Sequence, residues 1–112
     1  MWQALTDLQQ LDQLTQASYL KAQLLFKHST RCSISRVALG RFDRLPDSQE
    51  QGDFHLLDLL QYRPIAQQIT ERFGIPHESP QALIIKNGGC IYHANHLDIE
   101  PDEIYAQLDK TA

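Results

Sequence analysis

Cys32 is the residue of this sequence best suited to chemistry, because it stands where an apolar run gives way to a polar turn and a helical pattern begins. The N–H groups at a helix start are unpaired and carry partial positive charge, which stabilises a thiolate relative to a thiol. Arg31 adds a cation beside it, and no Asp or Glu occurs from Lys21 to Phe42. We therefore predict a reactive, nucleophilic cysteine.

The alternative for any free cysteine is a small buried hydrophobe without a chemical role. Polar neighbours argue against that alternative at Cys32, since Thr30, Ser33 and Ser35 surround it in the sequence. Cys90 is different, because it lies between Gly89 and Ile91 in an apolar strand pattern. The sequence therefore predicts a reactive Cys32 and an inert Cys90.

Histidines offer two further possibilities. His28 lies in the turn before Cys32, where it either tunes the thiolate or is an ordinary hydrogen-bonded turn histidine. The spacing of His93 and His96 would allow both imidazoles to reach one metal ion, but no acidic or cysteine ligand stands beside them. We predict no metal site.

Length and composition indicate the number of domains and the kinds of partner to expect. The chain has 112 residues, 42% of them hydrophobic, which predicts one compact domain over residues 1–112. The 10 Lys and Arg residues are scattered and the formal net charge is −4, so neither nucleic acid nor a membrane is expected as a partner. Two cysteines do not make a disulfide scaffold, and the N-terminus lacks a signal-peptide pattern, so we expect a cytoplasmic protein.

Hydrophobic periodicity predicts alternating helices and strands. In chain order these are a helix from a cap at Thr6-Asp7 to about Tyr19, a buried strand at 24–26, a helix from Cys32 to near Pro46, a strand at 54–60, a helix from Pro64 to a cap at Gly74, a hairpin of 82–86 and 89–93 about Asn87-Gly88, and a helix from near Glu100-Pro101. The polar stretch 46–53 predicts one loop.

This order predicts an α/β domain. Two parallel strands joined through a helix, then an antiparallel hairpin and a closing helix, give a central mixed four-stranded sheet flanked by helices. A short extra N-terminal strand is compatible with the pattern. The turn with Cys32 would follow the first of the two parallel strands.

The chain resembles the thioredoxin fold over essentially its whole length, and within that fold the monothiol bacilliredoxin family, whose motif is of the Thr-Cys-Pro-Ile-Ser type. Three segments carry the resemblance, namely 26–35 around Cys32, 62–65 and 79–81. The resemblance implies that Cys32 is the attacking thiol. It also implies that Thr30, Ser79 and Pro80 bind the substrate, and that the Ser79–Pro80 peptide bond is cis and faces the sulfur.

The sequence departs from its relatives near the cysteine. Ser33 replaces the proline that the family usually has after the cysteine, which leaves the helix start less rigid. Ser35 stands where dithiol thioredoxins have a second cysteine, and Phe26 where many have a buried acid, so an intramolecular resolving step is excluded at this site. The Ser35 hydroxyl either donates a hydrogen bond to the Cys32 thiolate or is a solvated group in the first helical turn.

A single thiolate implies a specific reaction. By the resemblance, Cys32 would attack a mixed disulfide between a client protein and bacillithiol or a related small thiol, which is a co-substrate rather than a bound cofactor. Two other functions stay open, an iron–sulfur carrier of the monothiol glutaredoxin kind and a non-enzymatic thioredoxin-like adaptor. Such carriers have small residues after the cysteine, whereas this chain has Ser33-Ile34.

Overall fold

The computed structural model describes residues 2–44 and 52–111. Its elements in chain order are β1 (Trp2–Ala4), α1 (Leu8–Ala17), β2 (Ala22–His28), α2 (Ser33–Gly40), a short 3-10 helix (Arg41–Arg44), β3 (Gly52–Asp58), α3 (Arg63–Phe73), β4 (Gln81–Lys86), β5 (Gly89–Asn95), a second 3-10 helix (His96–Asp98) and α4 (Pro101–Asp109). The predicted order of elements is confirmed. The short N-terminal strand is present as β1.

The strands form one mixed five-stranded sheet in the order β1-β3-β2-β4-β5. β1, β3 and β2 run parallel, β4 runs antiparallel to β2, and β5 runs antiparallel to β4. His28 at the end of β2 pairs with Asp58 at the end of β3, and Lys27 pairs with Gln81 at the start of β4. The turns after β2 and β3 and the segment before β4 therefore meet at one edge, called here the Cys32 edge.

Helices cover both faces of the sheet, which places the central strand between two apolar cores. Every residue of β2 is buried. Phe26 and Phe54 pack with α2 and α4 on one face, whereas Leu25 and Leu57 pack with α1 and α3 on the other. Within the described ranges, no helix is long and apolar enough to cross a membrane.

Local sequence signals set several of these boundaries. The carboxylate of Asp7 accepts a hydrogen bond from the Gln10 N–H at 2.8 Å, and Gln10 bonds back to the Asp7 N–H, so a capping box begins α1. Gly74 ends α3 with a φ of 70°. Asn87 and Gly88 both have positive φ, at 54° and 80°, as the type I′ hairpin turn requires. These predictions are confirmed.

Other boundaries differ from the prediction. β2 is longer than 24–26 because Lys27 and His28, although polar, are buried within it. β3 occupies Gly52–Asp58 rather than 54–60, since its partner β2 ends at His28, which pairs with Asp58. The last two residues of the predicted loop at 46–53 therefore belong to β3. Its remainder and the predicted helix end near Pro46 lie outside the described residues.

Candidate active site

Cys32 immediately precedes α2 at the Cys32 edge. Its backbone is extended, with φ of −99° and ψ of 121°, and its side chain makes no capping hydrogen bond. Its N–H donates to the Ser29 carbonyl at 3.1 Å, and its own carbonyl accepts from the Arg36 N–H at 3.1 Å. The residue is half-buried. The sulfur therefore lies at the first turn of a helix, partly accessible to solvent, as the sequence predicts.

Ser35 and His28 form a buried pair beneath this turn. The Ser35 Oγ accepts a hydrogen bond from the Ser29 N–H at 3.0 Å and lies 2.6 Å from Nδ1 of His28. Ser35 is fully buried, so the expectation of a solvated serine is wrong. Its bonds to Ser29 and His28 occupy the hydroxyl, and a bond to the Cys32 thiolate stays a prediction.

His28 is hydrogen-bonded, as the sequence allowed, but it is the last residue of β2 rather than part of the turn. Burial lowers its pKa below the ordinary value, an effect that Asp58 opposes and Arg36 reinforces. The neutral imidazole is therefore favoured, and its bond to Ser35 fixes the turn that carries Cys32. A direct effect of His28 on the thiolate stays a prediction.

The segment before β4 reaches the same edge of the sheet. The Ser79–Pro80 peptide bond is cis, as predicted. The Pro80 carbonyl accepts a hydrogen bond from the His96 N–H at 2.9 Å, which ties this segment to the end of β5. The Ser79 hydroxyl is buried and, within the described part of the chain, has no hydrogen-bond partner. A substrate contact at Ser79 and Pro80 stays a prediction.

A buried lysine connects this segment to the centre of the sheet, and sequence reasoning missed it. Lys27 is fully buried, and its Nζ donates to the Gln81 Oε1 at 2.7 Å. The Gln81 Nε2 in turn donates to the Asn95 Oδ1 at 2.9 Å and to the Pro76 carbonyl at 3.1 Å. Burial lowers the pKa of Lys27 to about 8, although Glu78 opposes the shift. The available signal was a lysine directly after the strand at 24–26 that the sequence predicts to be buried.

A polar groove lies beside the turn that precedes Cys32. Thr30 and Arg31, two of the predicted site residues, form one wall, and the loop after β3 and the start of α3 form the other. The groove has a volume of about 310 Å³. The residues of the second wall, which sequence reasoning did not assign, are Asp58, Leu60, Gln61 and Arg63.

Cys90 has a different environment from Cys32. It is half-buried in β5, and its Sγ donates to the Tyr92 carbonyl at 3.3 Å. Burial raises the pKa of the Cys90 thiol above its ordinary value. The thiol form of Cys90 is therefore favoured at neutral pH.

The sheet register separates the two cysteines. Cys90 pairs with Ile85, and Ile85 pairs with Gln23, which is near the start of β2. Cys32 instead follows the end of β2 at His28. The five steps from Gln23 to His28 correspond to roughly 16 Å, at about 3.3 Å per strand residue. A disulfide requires Cα atoms within about 7 Å, so this fold does not bring Cys90 within reach of Cys32.

His93 and His96 lie in different elements. His93 is exposed on β5, whereas His96 begins the next 3-10 helix with a φ of 54°. The His96 Nε2 lies 3.2 Å from the Glu78 Oε2. Across residues 2–44 and 52–111, no three His, Cys, Asp or Glu side chains are grouped as metal ligands.

The chain matches a known family over most of its length. A family model described as Monothiol bacilliredoxin BrxC matches residues 3–104. Among solved structures, a protein provisionally assigned as an oxidoreductase with a thioredoxin fold is similar, with a TM-score of 0.81 and 28% identity over 96% of this chain and 93% of the other. This match and the accessible thiol support a thiol oxidoreductase.

Two thioredoxins of lower identity show the same fold. Thioredoxin from Malassezia sympodialis has a TM-score of 0.76 at 20% identity, over 98% of this chain and 90% of the other. Thioredoxin from Fasciola hepatica has a TM-score of 0.76 at 13% identity, over 98% and 99% of the two chains. The predicted thioredoxin-like fold is confirmed.

Proposed function

Because the chain belongs to the monothiol bacilliredoxin family, we propose that it removes bacillithiol, or a related small thiol, from mixed disulfides on client proteins. The observation that supports this proposal most directly is the position of Cys32, half-buried at the first turn of α2. Because Cys90 lies at the other end of the sheet, the proposed reaction uses Cys32 alone. In this reaction the client protein carries the small thiol as a mixed disulfide and transfers it to Cys32.

The reaction consists of two thiol–disulfide exchanges. The Cys32 thiolate attacks the small-thiol sulfur of the mixed disulfide, the old S–S bond breaks, and the client thiolate leaves and takes a proton from solvent. A second small thiol, as its thiolate, then attacks the small-thiol sulfur bound to Cys32. That step regenerates the Cys32 thiolate and forms the symmetric small-thiol disulfide, so the two oxidising equivalents pass from client to small thiol.

The groups around Cys32 contribute to both exchanges. The N–H groups at the start of α2 and the Arg31 guanidinium stabilise the Cys32 thiolate, which is the nucleophile of the first step and the leaving group of the second. Thr30, Ser79 and Pro80 line the approach of the client. Ser35 and His28 act through the turn, because their hydrogen bond is buried beneath it.

Cysteine variants test this proposal. A client carrying a bacillithiol mixed disulfide is incubated with the protein, and both the released client thiol and the intact mass of the protein are measured. We expect wild type and Cys90→Ala to release the client thiol and to carry a bacillithiol adduct at Cys32, and Cys32→Ser to do neither. Loss of release in a folded Cys90→Ala protein would contradict the one-thiol mechanism.

The same preparations distinguish the two alternative functions. A visible absorption spectrum after anaerobic reconstitution with iron and sulfide would reveal a cluster carrier, and its appearance together with absent release would overturn the proposal. Absent release without a cluster would leave the adaptor function. We expect release and no cluster spectrum, since Ile34, a branched side chain, follows the cysteine closely at the start of α2.

A further inference from the structure

Two arginines face the groove beside the turn that precedes Cys32, and neither has a carboxylate partner among the residues that the structure describes. Arg31 and Arg63 line opposite walls and are both exposed, and within the described residues neither has an ion pair or a side-chain hydrogen bond. Arg72, at the last turn of α3, is different, because it pairs with Asp12 at 2.7 Å. The groove therefore contains two guanidinium groups whose N–H donors have no partner in 2–44 and 52–111.

The groove also adjoins the turn that precedes Cys32. Arg31 directly precedes Cys32, and Arg63 is the first residue of α3 across the groove. Asp58 contributes one carboxylate, whose Oδ1 accepts the Leu60 N–H at 3.1 Å. The two guanidinium groups therefore exceed the negative charge of the groove. A volume of about 310 Å³ is at the lower end of the range for small-molecule sites.

We propose that this groove is the subsite for the small thiol, and that Arg31 and Arg63 select thiols that carry a carboxylate. Guanidinium groups bind carboxylates through paired N–H donors, which fixes orientation as well as charge. With its carboxylate held there, the sulfur of the small thiol lies toward Cys32. This inference rests on the proposed function, since it assigns the binding site of the thiol that Cys32 accepts.

Two symmetric disulfides of different charge serve as probes. Dithiodipropionate has carboxylate ends, and bis(2-hydroxyethyl) disulfide has neutral ends. In each reaction the Cys32 thiolate attacks one sulfur, forms a mixed disulfide and releases one thiolate, so no other oxidant or reductant is needed. Adduct formation is followed by intact mass in a Cys90→Ala background, and each rate is divided by that of the same probe with 2-mercaptoethanol.

The quantity compared is the ratio of the corrected rates for the anionic and neutral probes. Any change in the intrinsic reactivity of Cys32 cancels in this ratio. We expect a ratio above one in the parent protein and a fall of about fivefold in Arg63→Gln, the upper range for an exposed charge pair. Arg31→Gln lowers the same ratio. Arg72→Gln, the matched control on the same helix, leaves it unchanged.

Charge reversal and salt give two further tests. Arg63→Glu should favour cystamine, whose ends are cationic, over the neutral probe. Raising the ionic strength should reduce the anionic preference of the parent protein. An unchanged ratio in folded Arg63→Gln would overturn the subsite while leaving the proposed function intact. If no probe forms an adduct at Cys32, the proposed function itself fails.

Discussion

The polar residues next to Cys32 have separate roles. Arg31 is exposed and directly precedes Cys32 in the chain, whereas Ser35 is buried and bonds to Ser29 and His28. We therefore expect the charge of Arg31 to act on the sulfur through space, and Ser35 to act on the backbone that holds the sulfur. Substitutions at these two positions should affect different measurable quantities.

Replacing Arg31 should change the reactivity of Cys32. We expect Arg31→Glu to slow alkylation of Cys32 by iodoacetamide at pH 7 by roughly threefold to tenfold, because a carboxylate beside the sulfur disfavours the thiolate. The rate is measured by intact mass in a Cys90→Ala background. Lys110→Glu is the control, since Lys110 follows α4 and is exposed. Equal rates in the two variants would contradict a role for the Arg31 charge.

Replacing Ser35 should change stability instead. Ser35→Ala leaves the Ser29 N–H and the His28 Nδ1 without their buried partner, which costs about 1–3 kcal/mol of the free energy of unfolding. Urea denaturation measures this difference. Ser33→Ala is the control, because Ser33 is exposed at the start of α2, and it should change stability little. A stability equal to that of wild type in Ser35→Ala would show that the pair is not a structural element of the turn.

Lys27 and Gln81 connect neighbouring strands at the Cys32 edge. These side chains join the central strand β2 to β4, and Gln81 extends the connection to Asn95 on β5 and to Pro76. The charged lysine is buried at a cost, which its lowered pKa expresses. The pH dependence of unfolding should therefore report on this connection between strands.

The sign of that pH dependence follows from the pKa of Lys27. This pKa is about 8 in the folded protein, against 10.5 for a lysine in the unfolded chain. Between these pH values the unfolded chain binds a proton that the folded protein does not. The free energy of unfolding therefore increases as the pH rises from 8 to 10.5, and this increase is lost as the pH falls back to 8. We expect wild type to gain up to about 3 kcal/mol over Lys27→Met across this window. Urea unfolding of both proteins from pH 7.5 to 10.5 measures it, and parallel curves would contradict it.

The same elements show what sequence could and could not predict. Hydrophobic periodicity and turn residues such as Gly74 and Asn87 are local signals, so the order of elements was predictable. The burial of Lys27 and Ser35 depends on partners 54 and 7 residues away, which no local pattern specifies. The second wall of the groove was missed for the same reason. Arg63 lines the same groove as Thr30 and Arg31 only because β3 pairs with β2.

At the scale of the whole molecule, Cys32 and Cys90 lie at opposite ends of the sheet. Cys32 follows β2, and Cys90 lies beside the opposite end of the central strands. We expect oxidation of the native protein with diamide to give no intramolecular disulfide. Intact mass would show intermolecular dimers through Cys32, and Cys90→Ala should give the same products. A native monomer lighter by two hydrogens in wild type alone would contradict the separation.

That separation determines how the proposed enzyme depends on its surroundings. A protein with two adjacent thiols can hold an oxidising equivalent as its own disulfide, whereas Cys32 can hold one only together with a foreign sulfur. Each cycle therefore waits for a molecule from the small-thiol pool, and the fraction of protein occupied at Cys32 rises as that pool is depleted. Because Cys32 and Cys90 are too far apart to form a disulfide, the turnover rate depends on the concentration of the small thiol.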